Sequence, residues 1–394
     1  MLDPVCMPAP ASKSQTQRAL MLGALARGQS VIERPLDCDD SRALRSALRA
    51  LGVEIQEQPE RWLVRGGELR APAGTIDCRD GGTTARFLAP LCLLLDAPLL
   101  LDASPRLRER PWTHMVEALQ ALGAHARYLG TPGRLPVALS RDEAPRSQRI
   151  AINASQSSQF ASALLLVGPL LPHGLCLELA GQAVSKPYLD LTVHMMCLFG
   201  AKLRAQPGSY ELEPGGYQPT SVSIEGDWSA AAFLLAAAFI SGRRVELERM
   251  APDSAQGDRA IVAWLRELEL PGHHELDLTD CPDLVAPLAA AAAFASGPVE
   301  LCGLRHARLK ESDRLQVLAR ELGRAGVHIR ERDDGLRIDP GGVLRPAVLD
   351  PSGDHRMAMA FGLLSLREPG IVCLTPECVH KSYPGYWEDL AKLR

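Results

Sequence analysis

Lys13–Gly28, KSQTQRALMLGALARG, opens on a cluster of cation, hydroxyls and amides, runs into an apolar stretch rich in alanine and leucine, and stops at a glycine. Its pattern is that of a helix whose polar residues gather at the N-terminal end. The same outline returns behind Gly82-Thr83-Thr84, Ser157-Ser158-Gln159, Asp227-Trp228-Ser229, Pro282-Asp283 and Asp354-His355-Arg356. Most intervals are about 70 residues and one is shorter, so the chain reads as one supersecondary unit used six times. A helix N-terminus offers unpaired N–H groups and the positive end of a dipole, which together suit an anion. Six such ends brought together would serve a substrate with several negative charges, and the repeat points to an enzyme acting on small phosphorylated anions.

At 394 residues the chain exceeds what one core normally serves, and two domains are expected. Hydrophobic residues make up 46% and charged residues 23%, the balance of a soluble globular protein. A net charge of −4 argues against bulk attraction to nucleic acid or an anionic membrane, while leaving room for a local cationic cleft. The ten cysteines stand singly, without a CxxC pair. Contexts such as PLCLLLDAP around Cys92 and MMCLFG around Cys197 read as reduced core thiols of a cytoplasmic protein. MLDPVCMPAPASK lacks a basic segment followed by an apolar one, so no signal peptide is expected. Asp96 interrupts the longest apolar run, and no membrane span is expected.

Each unit has a second half. A β-rich stretch follows the apolar helix, as in QSVIERPL. A second, amphipathic helix then ends at a glycine: SRALRSALRALG at Gly52, THMVEALQALG at Gly123, LTVHMMCLFG at Gly200 and LQVLARELGRAG at Gly326, each glycine supplying a left-handed cap. Alternating strands follow, as in AKLRAQPGSYELEPG and VHIRERDDGLRIDPGG. The fourth unit is degenerate, because AIVAWLRELEL lacks the closing glycine. Three units make one domain and three the other, with the break in Pro214–Gly226.

Several clusters carry two readings. Lys13 and Ser14 with Arg18 one turn on could be a capped helix with solvated cations, or an anion site. Arg106, Arg108 and Arg110 in SPRLRERPW could form an ordinary basic loop. Ser157-Ser158-Gln159 holds more hydroxyls and amides than an N-cap requires, and resembles a phosphate cradle. Asp283, and Glu311 beside Lys310, Asp313 and Arg314, could be solvated charges. Carboxylates set among cations are equally what proton transfer at carbon needs, one accepting and one delivering. Arg356 after His355, and Lys381 in CVHKSYPGYW, are open in the same way.

In order along the chain, ASKSQTQRAL, DGGTTARFLAP, SPRLRERPW, SSQF, VSKPYLDLT, EGDWSAAAF, CPDL, LKESDRL, GDHRMAMAF and HKSYPGYW closely resemble the motif set of the 5-enolpyruvylshikimate-3-phosphate (EPSP) synthases. The match runs from Ser12 to Trp387. The resemblance implies an α/β (α+β) fold: a two-domain inside-out α/β barrel of six repeats, each with helices and a four-stranded sheet. It implies an active site in the interdomain cleft and closure on the first substrate. One domain would span 12–225; the other, discontinuous, would join 1–11 to 226–394 and supply the catalytic carboxylates. The implied reaction joins shikimate 3-phosphate to phosphoenolpyruvate in a monomeric shikimate-pathway transferase, with no metal and no organic cofactor. Shikimate 3-phosphate would take Lys13, Ser14, Arg18, Ser157, Ser158, Gln159, Ser185, Tyr188, Asp283 and Lys310. Phosphoenolpyruvate would take Lys13, Gly82, Arg110, Gln159, Arg314, Arg356 and Lys381. Asp283 and Glu311 are the expected proton carriers, with Lys13 a further donor.

Some positions depart from the family pattern. Ala11 stands where glycine is usual, Asp80 where asparagine is frequent, and Phe87 where proline is frequent. The last could shift the helix carrying Gly82, against which the family's inhibitor glyphosate fits. The short N-terminus leaves the usual leading strand looking partly missing. A sister enolpyruvyl transferase acting on UDP-N-acetylglucosamine carries a cysteine in the loop matching SPRLRERPW, which has none here. A non-catalytic paralogue is the other alternative.

Overall fold

Each polar cluster becomes a helix start, and the residues after it are apolar on every side, so these helices bury. In the computed structural model, which describes residues 3–141 and 148–394, they are Lys13–Leu25, Gly82–Leu88, Gln159–Val167, Trp228–Ser241, Val285–Ala292 after a 3₁₀ turn at Pro282–Leu284, and His355–Leu364. Every residue of the last two, and every residue from Gln15 to Leu25, is buried. Three N-termini are closed by side chains: Ser12 accepts the Gln15 N–H (3.4 Å), Asp227 that of Ala230 (3.0 Å) and Asp354 that of Arg356 (2.9 Å).

Around the buried helices lie sheets of one recurring order. A strand before the helix and a strand after it pair in parallel, and a hairpin adds two antiparallel strands. The third repeat is typical. Arg149–Asn153 pairs in parallel with Leu175–Ala180, which pairs antiparallel with Ser209–Leu212, itself paired with Leu203–Gln206. Among the described residues four sheets have four strands and two have only two, so the expectation of a four-stranded sheet in every repeat needs correcting. In the fourth repeat the helix Ile261–Leu268 is followed by no hairpin, and in the sixth only Ala347–Leu349 and Ile371–Cys373 pair.

The leading strands of the first and fourth repeats are exchanged. Val5–Pro8, ahead of the first buried helix, pairs in parallel with Val245–Glu248 in the fourth repeat. Ser221–Ser223, ahead of the fourth buried helix, pairs in parallel with Val31–Glu33 in the first. A leading strand is therefore present at the N-terminus, where the short sequence suggested it was partly missing, and the stretch read as a break contains a strand. By internal contacts the chain divides into Ala11–Ile224 and a second unit of Met1–Pro10 with Glu225–Arg394. In the second unit Phe233, Leu288, Phe361 and Tyr386 belong to one continuous core.

All ten cysteines are free thiols. Cys92 is buried, but Cys197 is exposed, which corrects its reading as a core thiol. The helix Pro187–Leu198 buries Leu189, Thr192, Met195 and Met196, and Cys197 falls on its other side. Among the described residues no helix is long and apolar enough to cross a membrane.

The second helices end as their glycines require. Gly326 has φ +98°, and a Cβ there would lie 2.1 Å from the Val343 carbonyl oxygen. Gly326→Ala is expected to destabilise the protein by about 2–3 kcal/mol, combining left-handed strain with a backbone clash. A denaturant titration checks this.

Candidate active site

In the unit Ala11–Ile224 the candidate side chains sit on the N-terminal turns of the buried helices and on the loops facing them. Lys13 Nζ lies 3.0 Å from Asp40 Oδ2. One turn on, Arg18 is 3% exposed and donates to Thr192 Oγ1 (2.8 Å) and to the carbonyls of Ser14 and Tyr188 (both 3.0 Å). Its guanidinium lies over the Phe87 ring, 5.3 Å from the centroid. Those partners are uncharged. Burial pushes the Arg18 pKa down to about 10, so the group is still a cation at neutral pH and its charge is not neutralised by a carboxylate.

Gly82 brings two more guanidinium groups close to the backbone, since a Cβ there would sit 2.8 Å from Nη1 of both Arg110 and Arg86. Arg86 donates to Gln159 Oε1 (2.6 Å), and Gln159 Nε2 donates to Thr83 Oγ1 (3.2 Å). Ser157 Oγ accepts the Gln159 N–H at 3.2 Å, and Ser158 is buried. Ser185 is held at φ +56°, a left-handed conformation that costs a serine energy and tends to be kept where function needs it. Its hydroxyl is buried without a hydrogen-bond partner, a donor waiting for an acceptor.

In the second unit the centre is Arg314, whose side chain is 1% exposed. Its three nitrogens reach three carboxylates: Nε to Asp354 Oδ2 (2.9 Å), Nη1 to Asp283 Oδ1 (2.7 Å) and Nη2 to Glu311 Oε2 (2.9 Å). Arg356 Nη2 holds the other oxygen of Asp283 at 2.8 Å, and the Ser312 hydroxyl donates to Asp354 at 3.1 Å. Burial alone would raise the Asp283 carboxyl. The fields of Arg356, Arg314 and Lys310 outweigh it and hold Asp283 well below the usual carboxylate range. Conversely, burial would lower Arg314, but Asp354, Asp283 and Glu311 raise it. Lys381 is buried at the end of the 3₁₀ segment Pro376–Lys381.

The EPSP synthase family, described as 3-phosphoshikimate 1-carboxyvinyltransferase, matches residues 7–390. The chain belongs to the EPSP synthase family. Relatives named 3-phosphoshikimate 1-carboxyvinyltransferase include that of Methanoculleus marisnigri, 39% identical over 97% of this chain and 95% of its own. That of Nostoc punctiforme is 35% identical over 96% and 93%. The fold is that of an EPSP synthase from Acinetobacter baumannii, at a TM-score of 0.81 and 24% identity over 98% of this chain and 95% of the other. An enolpyruvyl transferase, NikO, from Streptomyces tendae follows at 0.76 and 18% identity, over 100% and 95%.

Within the EPSP synthase motifs, the structure sorts the charged residues. Asp283 and Glu311 meet on one arginine. Of the three loop arginines, Arg106 pairs with Glu109 (2.7 Å) and Arg108 with Asp102 (2.6 Å) at the surface, while Arg110 is buried beside Gly82. Asp313 caps its helix by accepting the Gln316 N–H at 3.1 Å. The departures from the family pattern have local partners: Asp80 accepts the Ser104 hydroxyl, and Phe87 carries the Arg18 guanidinium. The sequence reading missed Asp40, Asp354 as the third carboxylate on Arg314, and two buried titratable groups. His306 is 5% exposed with Nε2 unpartnered, and burial followed by Lys310 lowers its pKa to about 4. Asp258, 3% exposed on the turn Gly257–Ala260, accepts from the Ser229 hydroxyl. Burial, then the field of Asp283, push it up to about 7.

Proposed function

We propose that this protein transfers the enolpyruvyl group of phosphoenolpyruvate to shikimate 3-phosphate and releases inorganic phosphate. The ring hydroxyl gives its proton to a carboxylate of the site as its oxygen adds to the enol carbon, and the methylene takes a proton from a second group. The resulting tetrahedral intermediate then loses phosphate, and a proton leaves the new methyl group to restore the double bond. The observation that carries this reading is Asp283 held between Arg314 and Arg356 at 2.7 and 2.8 Å. With both cations on it, Asp283 is too weak a base to accept a proton. A phosphoenolpyruvate anion that takes up Arg356 withdraws part of that stabilisation and raises the basicity of Asp283 when it is needed. Glu311, 2.9 Å from Arg314, is the companion proton carrier, and Lys13 a further donor.

The proposed shikimate 3-phosphate ligands are Lys13, Ser14, Arg18, Ser157, Ser158, Gln159, Ser185, Tyr188, Asp283 and Lys310. In this assignment Ser157, Ser158 and Ser185 take the phosphate, and the unpartnered hydroxyl of Ser185 supports it. The proposed phosphoenolpyruvate ligands are Lys13, Gly82, Arg110, Gln159, Arg314, Arg356 and Lys381, guanidinium groups suiting both its carboxylate and its phosphate. Residues 12–225 would thus serve mainly shikimate 3-phosphate, and 1–11 with 226–394 would supply the carboxylates. We further assign the protein to the cytoplasm, as a monomer.

Phosphate release from purified protein tests the reading. It is expected only with both substrates present, and release with UDP-N-acetylglucosamine as acceptor instead would move the protein to the sister activity. Gly82→Ala adds a finer test. The methyl group displaces the guanidinium ends of Arg110 and Arg86, so KM for phosphoenolpyruvate should rise roughly tenfold with a smaller change in kcat.

A further inference from the structure

Arg86 is absent from the ligands above, yet it is a cation only 2% exposed and fixed on one of them. It lies on the helix Gly82–Leu88, and its guanidinium rests over the Phe160 ring, 5.1 Å from the centroid. Nη1 donates to two oxygens: the Gly82 carbonyl on its own helix (3.2 Å) and Gln159 Oε1 at the start of the helix Gln159–Val167 (2.6 Å). A guanidinium can only donate, whereas a glutamine amide has a donor end and an acceptor end. Arg86 therefore accommodates the oxygen end alone. The nitrogen end is turned to Thr83, where one N–H goes to Oγ1 at 3.2 Å. A hydroxyl can meet either end of an amide, so Arg86 and not Thr83 decides the orientation. An amide nitrogen carries two hydrogens, which leaves a second donor for a ligand oxygen.

We propose that Arg86 is a positioning residue: it locks the Gln159 amide so that nitrogen, not oxygen, faces the substrates. Both substrates are anions. A flipped amide would set a carbonyl oxygen against a phosphate or carboxylate oxygen and replace attraction with repulsion. Through the Gly82 carbonyl the same guanidinium ties that amide to the backbone proposed to approach phosphoenolpyruvate. This inference deepens the reading of Gln159 given above and rests on it.

Arg86→Met keeps an unbranched side chain beside Phe160 and removes the donor. KM for both substrates should rise about tenfold, the weight of one hydrogen bond to an anion, with a smaller change in kcat. A role exerted through Gln159 must vanish once the amide is gone. The double variant Arg86→Met/Gln159→Leu should therefore show the KM of Gln159→Leu alone. Effects on KM that multiply in the double variant would overturn the proposal. A second readout needs neither turnover nor substrate. In protein labelled with 15N at the glutamines, the Nε2 protons of Gln159 are the pair missing from Gln159→Leu. They should show a nuclear Overhauser contact with the Thr83 methyl group that weakens in Arg86→Met. A contact of equal strength in both proteins would sink the idea, and its absence from wild-type protein would do so even where the variant does not fold. If the contact behaves as described but wild-type protein releases no phosphate with both substrates, it is the catalytic reading that has failed.

Discussion

Glu311→Gln is expected to lower kcat by about a thousandfold, the weight of a positioned proton carrier, while binding of shikimate 3-phosphate stays near wild type. Glutamine keeps the shape and still offers an oxygen to Arg314 Nη2, now 2.9 Å from the carboxylate, so the loss falls on proton transfer and not on folding. Steady-state kinetics paired with calorimetric binding separates the two. Turnover within tenfold of wild type would remove Glu311 from the mechanism. Asp283→Asn should cost as much in kcat, but it also releases Arg356 and one nitrogen of Arg314, so KM for phosphoenolpyruvate should change with it.

Arg314→Ala is the substitution with the largest expected structural effect. It takes one cationic partner from each of Asp354, Asp283 and Glu311, of which Asp354 is wholly buried, and removing one partner from a buried ionic cluster costs about 3–5 kcal/mol. The pH dependence follows from the sign of the Asp283 shift. Its folded-state pKa lies well below the ordinary value, so its contribution is fully present above the unfolded pKa and is lost only as pH falls through the folded one. Without Arg314 that depression shrinks, and the acid-unfolding midpoint should move to higher pH. Denaturant titrations at pH 7, and acid titrations of both proteins, check the two effects. Equal acid midpoints would show that Arg314 does not stabilise the carboxylates.

The repeat was legible because each buried helix opens on a polar cluster and is apolar thereafter, a contrast strong enough to survive six divergent copies. Lys13, Asp283, Glu311, Arg314 and Arg356 were legible because they fall in or near those clusters or in motifs kept in order. The exchange of Val5–Pro8 and Ser221–Ser223 was not, since strands of four and three residues are too short to show a period, and their partners lie more than two hundred or nearly two hundred residues away. Asp258 and His306 escaped for a related reason. Each is one titratable residue outside the clusters, and its burial comes from neighbours distant in sequence. Cys197 was misplaced because local apolarity does not say which side of a helix faces the core.

The most direct test of the addition–elimination account is to run shikimate 3-phosphate and phosphoenolpyruvate with the protein in D2O and weigh the product. The account predicts an enolpyruvyl product in which the methylene carries solvent deuterium, because a proton is first added there and one of three is then removed. Absence of this product, or product with an unlabelled methylene, would contradict it.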